Sequence, residues 1–104
     1  MAEEIIREIK WTDTARISFH KIVEYILREW SEREVEKFIA SATELLSTLK
    51  RYPEMCRPSL KRKNVRIGIL NKHTQIVYHY DSKKGQIQIL VFWNPKQNPA
   101  KFKY

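Results

Sequence analysis

Gln86–Pro99, with the sequence QIQILVFWNPKQNP, is the stretch that decides the architecture of this 104-residue chain. Its apolar residues occupy both sides of a period-two pattern, with Ile87, Ile89, Val91 and Trp93 on one side and Leu90 and Phe92 on the other. Two apolar faces are typical of a strand inside a sheet, so the pattern predicts a central strand. The strand is expected to end at Asn94, because Pro95 has no amide hydrogen to continue a ladder.

Two helices are predicted before this strand. Oxygen-bearing side chains at Thr12–Thr14 are suited to cap a helix, and the apolar residues that follow recur at three- and four-residue steps: Ala15, Phe19, Ile22, Val23, Ile26 and Trp30. Ser31 and Glu34 have the spacing of a capping box, which predicts a second helix that ends at Tyr52 and Pro53. Its apolar stripe is Val35, Phe38, Ile39, Ala42, Leu45, Leu46 and Leu49. The helices are expected to form a hairpin that covers one face of the sheet, with Trp93 filling the core beneath them.

The remaining strands are predicted from alternation and turn residues. They are Ile5–Trp11, Val65–Leu70 and Gln75–Tyr80, with turns at Asn71–His73 and Asp81–Gly85. Residues 54–63 have no periodicity and are predicted to be a loop. The order β-α-α-β-β-β predicts an α+β fold, a mainly antiparallel sheet with the helical hairpin on one face, in a single domain of residues 1–104.

Composition excludes several classes of protein. No run reaches the ~18 apolar residues of a membrane span, and the charged amino terminus differs from a signal peptide, so we expect a cytoplasmic protein. Cys56 has no partner for an internal disulfide, and no Cys or His spacing indicates a metal site. With only Gly68 and Gly85, a phosphate-binding Gly-rich loop cannot form, so no nucleotide or redox cofactor is expected.

The net charge of +8 lies in the second half of the chain. Residues 1–56 hold 9 Lys and Arg against 11 Asp and Glu, a net charge of −2, whereas residues 57–104 hold 11 against 1, a net charge of +10. Such asymmetry indicates a polyanionic partner or an acidic protein. Lys61, Arg62 and Lys63 are the best candidates to contact an anion, because three cations precede a strand that would hold them in place. The alternative is a solvated basic loop.

Four features carry a resemblance to a known family: the element order, the length, the helix that ends Leu49-Lys50-Arg51-Tyr52-Pro53, and the segment after the last strand. With them the chain resembles the RelE/ParE superfamily of toxins of type II toxin-antitoxin (plasmid stabilisation) systems. ParE-like members typically carry Arg-Gln-Asn-Pro after the last strand, and this chain has Lys96-Gln97-Asn98-Pro99. Lysine keeps the charge of arginine but loses its planar, bidentate fork.

The resemblance implies a toxin neutralised by a cognate antitoxin whose carboxy-terminal segment wraps around it. It also implies that operator DNA is bound indirectly, through the antitoxin of the complex. An acidic, amphipathic tail is predicted to bind the sheet groove beside the helical hairpin, which is rimmed by Lys61, Arg62, Lys63 and Lys96.

Two activities in this superfamily lead to different expectations. ParE-like members typically inhibit DNA gyrase and do not cleave it, whereas RelE-like members are endoribonucleases that cut messenger RNA on the ribosome. For the second activity the resemblance implies Arg66 and Tyr104 as catalytic candidates. Their plainer interpretations are a solvated strand arginine and an aromatic residue docked on the core.

Gyrase inhibition is the favoured prediction. Gln86–Trp93 contains no Arg or Lys, although RelE-type enzymes usually place an arginine in that strand. Ribosome-dependent cleavage of messenger RNA is the alternative, and a non-toxic nucleic-acid-binding module is a third hypothesis.

Overall fold

A computed structural model describes residues 7–96 and 102–104. The elements are β1 Glu8–Trp11, α1 Asp13–Glu29, α2 Glu32–Arg51, β2 Arg57–Pro58, β3 Val65–Asn71, β4 Thr74–Asp81 and β5 Gln86–Trp93. The predicted α+β class and the order of the long elements are confirmed. Ile5 and Ile6 of the predicted first strand, and Gln97–Pro99 of the four-residue motif, lie outside the described residues.

Both helices begin at the predicted caps. The Thr12 hydroxyl accepts a hydrogen bond from the Ala15 amide at 3.0 Å and donates one to the Ile89 carbonyl at 2.8 Å, which fixes the start of α1 against β5. The Ser31 hydroxyl accepts from the Glu34 amide at 3.3 Å. Each side chain satisfies an amide that the first turn of a helix leaves without a partner. No helix in the described part of the chain is long and apolar enough to cross a membrane.

The sheet has the strand order β1-β5-β4-β3-β2. β5 lies between β1, which runs parallel to it, and β4, which runs antiparallel, so the prediction of an interior strand is confirmed. The predicted loop at residues 54–63 is wrong in one place, because β2 pairs with β3 at the edge of the sheet. This strand has only two residues, and Pro58 suits an edge because it has no amide to donate.

A β-bulge at Leu90 changes which residues of β5 face the helices. Val77 pairs with Val91 but the next residue, Tyr78, pairs with Ile89, so Leu90 is the extra residue. After the bulge the alternation reverses, and the prediction that Trp93 lies beneath the helices is wrong. Phe92 takes that position, whereas the Trp93 ring packs against Phe102 with centroids 5.2 Å apart.

The sheet buries apolar residues on both faces. The cluster beneath the helices comprises Ala15, Leu49, Ile76, Tyr78, Ile87, Ile89 and Phe92, and it is extended by the rings of Trp11 and Phe19. The cluster on the opposite face comprises Val65, Ile67, Val77 and Val91, with Leu90, Phe102 and Tyr104 packed against it. Helices therefore cover one face, and residues of the carboxy-terminal tail pack against the other.

Candidate functional site

The basic residues that precede β3 lie in a loop held by Ser59. The Ser59 hydroxyl accepts hydrogen bonds from the amides of Lys61 and Arg62 at 3.0 and 3.1 Å, and it donates to the Tyr104 carbonyl. At Asn64 the backbone φ is 64°, a left-handed conformation that asparagine tolerates, and the chain enters β3 immediately afterwards. The loop thus has a defined shape that presents Lys61, Arg62 and Lys63 to solvent.

A second pair of cations lies at the same end of the sheet, in the turn between β4 and β5. The Asp81 carboxylate accepts hydrogen bonds from the amides of Lys83 and Lys84 at 3.0 and 3.2 Å, and both lysines are exposed. Gly85, with φ 64°, leads into β5. Neither lysine is among the candidates predicted from the sequence. Their signal is topological, because in an antiparallel meander the turn that follows β4 lies beside the start of β3.

An open cavity of about 290 Å³ lies where the two loops meet. Arg62, Lys63 and Arg66 line it together with the acid Glu54, and Ser82 lines it from the second loop. The Tyr80 amide donates to the Asn64 carbonyl at 2.9 Å and joins the loops at its base. Cations, hydroxyl groups and amides are the groups that bind phosphate or carboxylate oxygens.

Arg66 occupies a structural position within this cavity. Its Nη1 donates to the carbonyls of Glu54 and Cys56 at 3.0 and 2.7 Å, so the half-buried guanidinium holds the segment that leads into β2. The neighbouring residues Val65 and Ile67 belong to the cluster on the tail-covered face, so alternation places Arg66 on the helix-covered face. The expected solvated arginine is instead bonded to backbone.

Tyr104 lies on the other face of the sheet. Its ring packs against the tail-side cluster and against Phe102, and the Arg62 guanidinium lies 4.7 Å from its centroid. The interpretation of Tyr104 as a docked terminal aromatic residue is confirmed. The structure therefore places the two catalytic candidates, Arg66 and Tyr104, on opposite faces.

Lys96 is separated from the basic loop before β3. Lys96 follows the end of β5. There Trp93 pairs with Gln75 of β4, which pairs in turn with Ile69 of β3, whereas the basic loop precedes Val65 at the other end of β3. Ile69 and Val65 are four residues apart in β3, about 13 Å at ~3.3 Å per residue. Lys61, Arg62 and Lys63 are brought together, and Lys96 lies at the opposite end of the sheet.

In the part of the chain that the structure describes, the cations of the two basic loops form no ion pair, whereas four cations of β1, α1 and α2 each have a carboxylate partner. In the described part of the chain, the ion pairs are Lys10 with Glu8, Arg16 with Asp13, Arg28 with Glu29, and Lys37 with Glu34, and His20 Nε2 lies 2.9 Å from Glu24 Oε1. All lie in β1, α1 or α2. No group of three His, Cys, Asp or Glu side chains among the described residues could hold a metal ion.

Residues 9–99 match the family model described as the ParE toxin of the type II toxin-antitoxin system parDE. The chain belongs to this family. The match covers most of the chain and includes the two helices, β2 to β5 and both basic loops. The comparison with individually curated proteins finds no match.

The ParE fold of this chain is also similar to two solved toxin-antitoxin structures. For the chromosomal ParDE system from P. aeruginosa the TM-score is 0.70 at 20% identity, covering 88% of this chain and 98% of that chain. For the RelBE2 complex from Mycobacterium tuberculosis the TM-score is 0.62 at 18% identity, covering 90% and 97%. The resemblance to the RelE/ParE superfamily is confirmed, and this protein is a toxin of a type II toxin-antitoxin system.

Proposed function

We propose that this ParE family toxin inhibits DNA gyrase and is not an enzyme. The observation that carries the proposal is the match of residues 9–99 to the ParE toxin model. The geometry of the nuclease candidates adds support, because the Arg66 guanidinium is bonded to two backbone carbonyls and Tyr104 lies on the other face of the sheet. Such an arrangement does not suit joint action on one scissile phosphate.

Two assays with the same protein preparation test this proposal. In the first assay, supercoiling of relaxed plasmid by purified gyrase is measured at increasing toxin concentration. In the second, the toxin is added to a defined translation reaction and the 3′ ends of the messenger RNA are mapped. We expect inhibition of supercoiling and intact messenger RNA. Cuts at codon boundaries that require ribosomes, together with normal supercoiling, would contradict the proposal.

Ribosome-dependent cleavage of messenger RNA is the second candidate function. The cavity favours it, because Arg62, Lys63 and Arg66 there could bind an RNA phosphate. If Arg66 and Tyr104 acted on that phosphate, Arg66→Ala and Tyr104→Phe would each lower cleavage by ~10²-fold. Unchanged rates in both variants would remove these residues from the assignment.

We also propose that a cognate antitoxin neutralises the protein, as both similar structures are of toxin-antitoxin systems. Its acidic tail would contact Lys61, Arg62, Lys63 and Lys96. Since these cations lie at both ends of the sheet, the tail must be extended along it. Operator DNA would be bound through the antitoxin. Because the proposed targets are cytoplasmic, we also propose that the protein acts in the cytoplasm.

The antitoxin proposal is tested by replacing these four cations with glutamine and measuring the affinity of the complex. We expect weaker binding whose dependence on salt is also reduced, because charge attraction between exposed groups is screened by ions. Equal affinity of the variant and the wild type would contradict the proposed contact.

A further inference from the structure

We propose that the two basic loops, residues 59–64 and 82–85, form a site with which the toxin itself binds the phosphodiester backbone of nucleic acid. This goes beyond the proposed function, in which DNA is bound only through gyrase or the antitoxin. The residues assigned are Lys61, Lys63, Lys83 and Lys84, together with Arg62 of the first loop, which lines the cavity between the loops.

The five cations of the two loops are exposed and form no ion pair in the described part of the chain. By contrast, Lys10, Arg16, Arg28 and Lys37 each have a carboxylate partner. Like charges placed together on a surface repel one another and destabilise the fold slightly. The Arg62 guanidinium lies over the Tyr104 ring, but among the described residues these cations make no ion pair that would offset the repulsion, and an external anion would neutralise them.

Both loops are held in a defined backbone shape by the same hydrogen-bond pattern. In each loop one side-chain oxygen, from Ser59 or Asp81, accepts hydrogen bonds from the amides of two successive cations. Each loop also ends in a residue with φ 64°, Asn64 or Gly85, directly before a strand. Preorganised cations lose less conformational freedom when they bind an anion.

The two basic loops lie close enough together for one nucleic-acid backbone to contact both. The loops are adjacent, because Arg62, Lys63 and Ser82 line one cavity. They are separated by one to two strand spacings, about 5 to 10 Å, so a continuous backbone of phosphates can contact both. Glu54 and Asp81 are the acids of the cavity and the turn, and the Asp81 carboxylate is already bonded to two amides.

An acidic protein segment would use only part of this surface. The antitoxin tail proposed above contacts Lys61, Arg62 and Lys63 with its charges, and its apolar side chains must lie elsewhere along the sheet, so the site is open to nucleic acid in the free toxin. A strand or amphipathic helix needs pockets or a groove for its apolar side chains. The cavity between the loops is lined largely by charged and hydroxyl side chains. Nucleic acid, whose repeating groups are phosphates, fits this surface better.

The test is a binding titration with the free toxin and two matched variants. The sheet-end variant carries Lys61→Gln, Lys63→Gln, Lys83→Gln and Lys84→Gln. The helical variant carries Lys10→Gln, Arg16→Gln, Arg28→Gln and Lys37→Gln and has the same net charge. Arg62 stays in place because its guanidinium contacts the Tyr104 ring. Circular dichroism is used to check that all three proteins are folded before binding is measured.

Fluorescence anisotropy is measured with a labelled DNA duplex and with a labelled single-stranded RNA of mixed sequence. If the four lysines and Arg62 each neutralise one phosphate, log affinity should fall against log salt with a slope of about −4.5 for the duplex. We expect the sheet-end variant to bind at least ~10-fold more weakly at ~50 mM salt with a shallower slope, and the helical variant to bind like the wild type. A preference for the duplex or for the RNA identifies the source of the phosphates.

Three outcomes would overturn the inference. One is no binding of either nucleic acid by the wild type at low salt. Another is an equal loss in both variants, which would indicate an effect of net charge alone. The third is that an acidic peptide binds the loops while neither nucleic acid does. Inhibition of gyrase without binding to the free nucleic acids would leave the proposed function in place and remove only this site.

Discussion

The helical region and the sheet end of this toxin use charge in different ways. In β1, α1 and α2, cations alternate with acids along the chain and form ion pairs such as Lys37 with Glu34 at 3.4 Å. Residues 57–104 contain eleven cations and one acid, and among the described residues the cations of the two basic loops are exposed and form no ion pair. The five cations of the two basic loops therefore form a surface cluster, whereas the paired cations of the helical region contribute to contacts within the fold.

Stability must then come from the apolar faces of the sheet, and these also differ. Two helices cover one face, where Phe92 packs 5.2 Å from Trp11 and 5.0 Å from Phe19 between ring centroids. On the other face Phe102 and Tyr104 pack against the cluster that includes Val65 and Val91. The predictions below rank these contributions.

The largest effect is expected beneath the helices. Phe92→Ala removes a ring that is 2% exposed, and such substitutions cost about 3–5 kcal/mol. Urea unfolding followed by tryptophan fluorescence measures the change. Leu60→Ala, in the first basic loop, is the control and should alter stability by less than ~0.5 kcal/mol. A comparable loss in the two variants would contradict the claim that the basic loop carries no core function.

A smaller loss is expected on the tail-covered face. Deleting residues 102–104 removes two half-buried rings, and roughly half of the burial energy of two aromatic side chains is about 2–3 kcal/mol. It also removes the Tyr104 carbonyl that accepts from Ser59. The unfolding midpoint should fall, and amide exchange in the first basic loop should increase. An unchanged midpoint would mean that the tail does not stabilise this face.

Tyr78→Phe probes a polar contact in the core. The Tyr78 hydroxyl donates to the Pro53 carbonyl at 2.7 Å, and leaving that carbonyl unpaired should cost about 1 kcal/mol, at the low end of the usual range. The unfolding free energy of the variant measures this cost. No loss would indicate that water replaces the hydroxyl.

The same residue predicts a pH dependence. Burial, and then the interaction with Cys56, raises the pKa of the folded-state Tyr78 hydroxyl. An unfolded tyrosine loses its proton near about pH 10, so above that pH the unfolded state binds fewer protons and stability falls as pH rises. Below about pH 10 this hydroxyl does not change the stability with pH. The alkaline loss should be smaller in Tyr78→Phe, and an identical pH profile would contradict the assignment.

The smallest effects compare single cations of the two regions. Lys37→Gln breaks an exposed helical pair and should cost about 0.3–0.5 kcal/mol. Lys83→Gln removes an unpaired cation and should leave stability unchanged or slightly higher. The difference is best resolved at low salt, where screening is weak. A loss in Lys83→Gln as large as that in Lys37→Gln would erase the distinction between the regions.

The sequence predicted those parts of the fold that depend on local chemistry. The caps at Thr12 and Ser31, the end of α2 and the meander of β3 to β5 follow from residues close together in the chain. The bulge at Leu90 could not be predicted, because it arises from pairing with β4. The same holds for β2, whose two residues have no periodicity.

For the candidate site, charge identified the first basic loop but not its surroundings. Lys83 and Lys84 lie about twenty residues from Lys61 and Lys63 in sequence, and only the sheet brings them together. Arg66 looked like a free strand arginine, since alternation alone does not reveal the carbonyls of Glu54 and Cys56 that it binds. Residues that act through long-range contacts need the structure.

The most direct test of this account is gyrase inhibition by the sheet-end and helical variants at equal protein concentration. Both variants have lost four positive charges, so net charge alone cannot separate them. Gyrase acts on DNA, and the two basic loops are proposed to bind DNA phosphates, so these loops should contribute to the contact with the gyrase–DNA complex. The helical variant should then inhibit supercoiling like the wild type, whereas the sheet-end variant, still folded, should lose inhibition. Equal inhibition by the two variants would contradict the claim that the basic end of the sheet acts on the target.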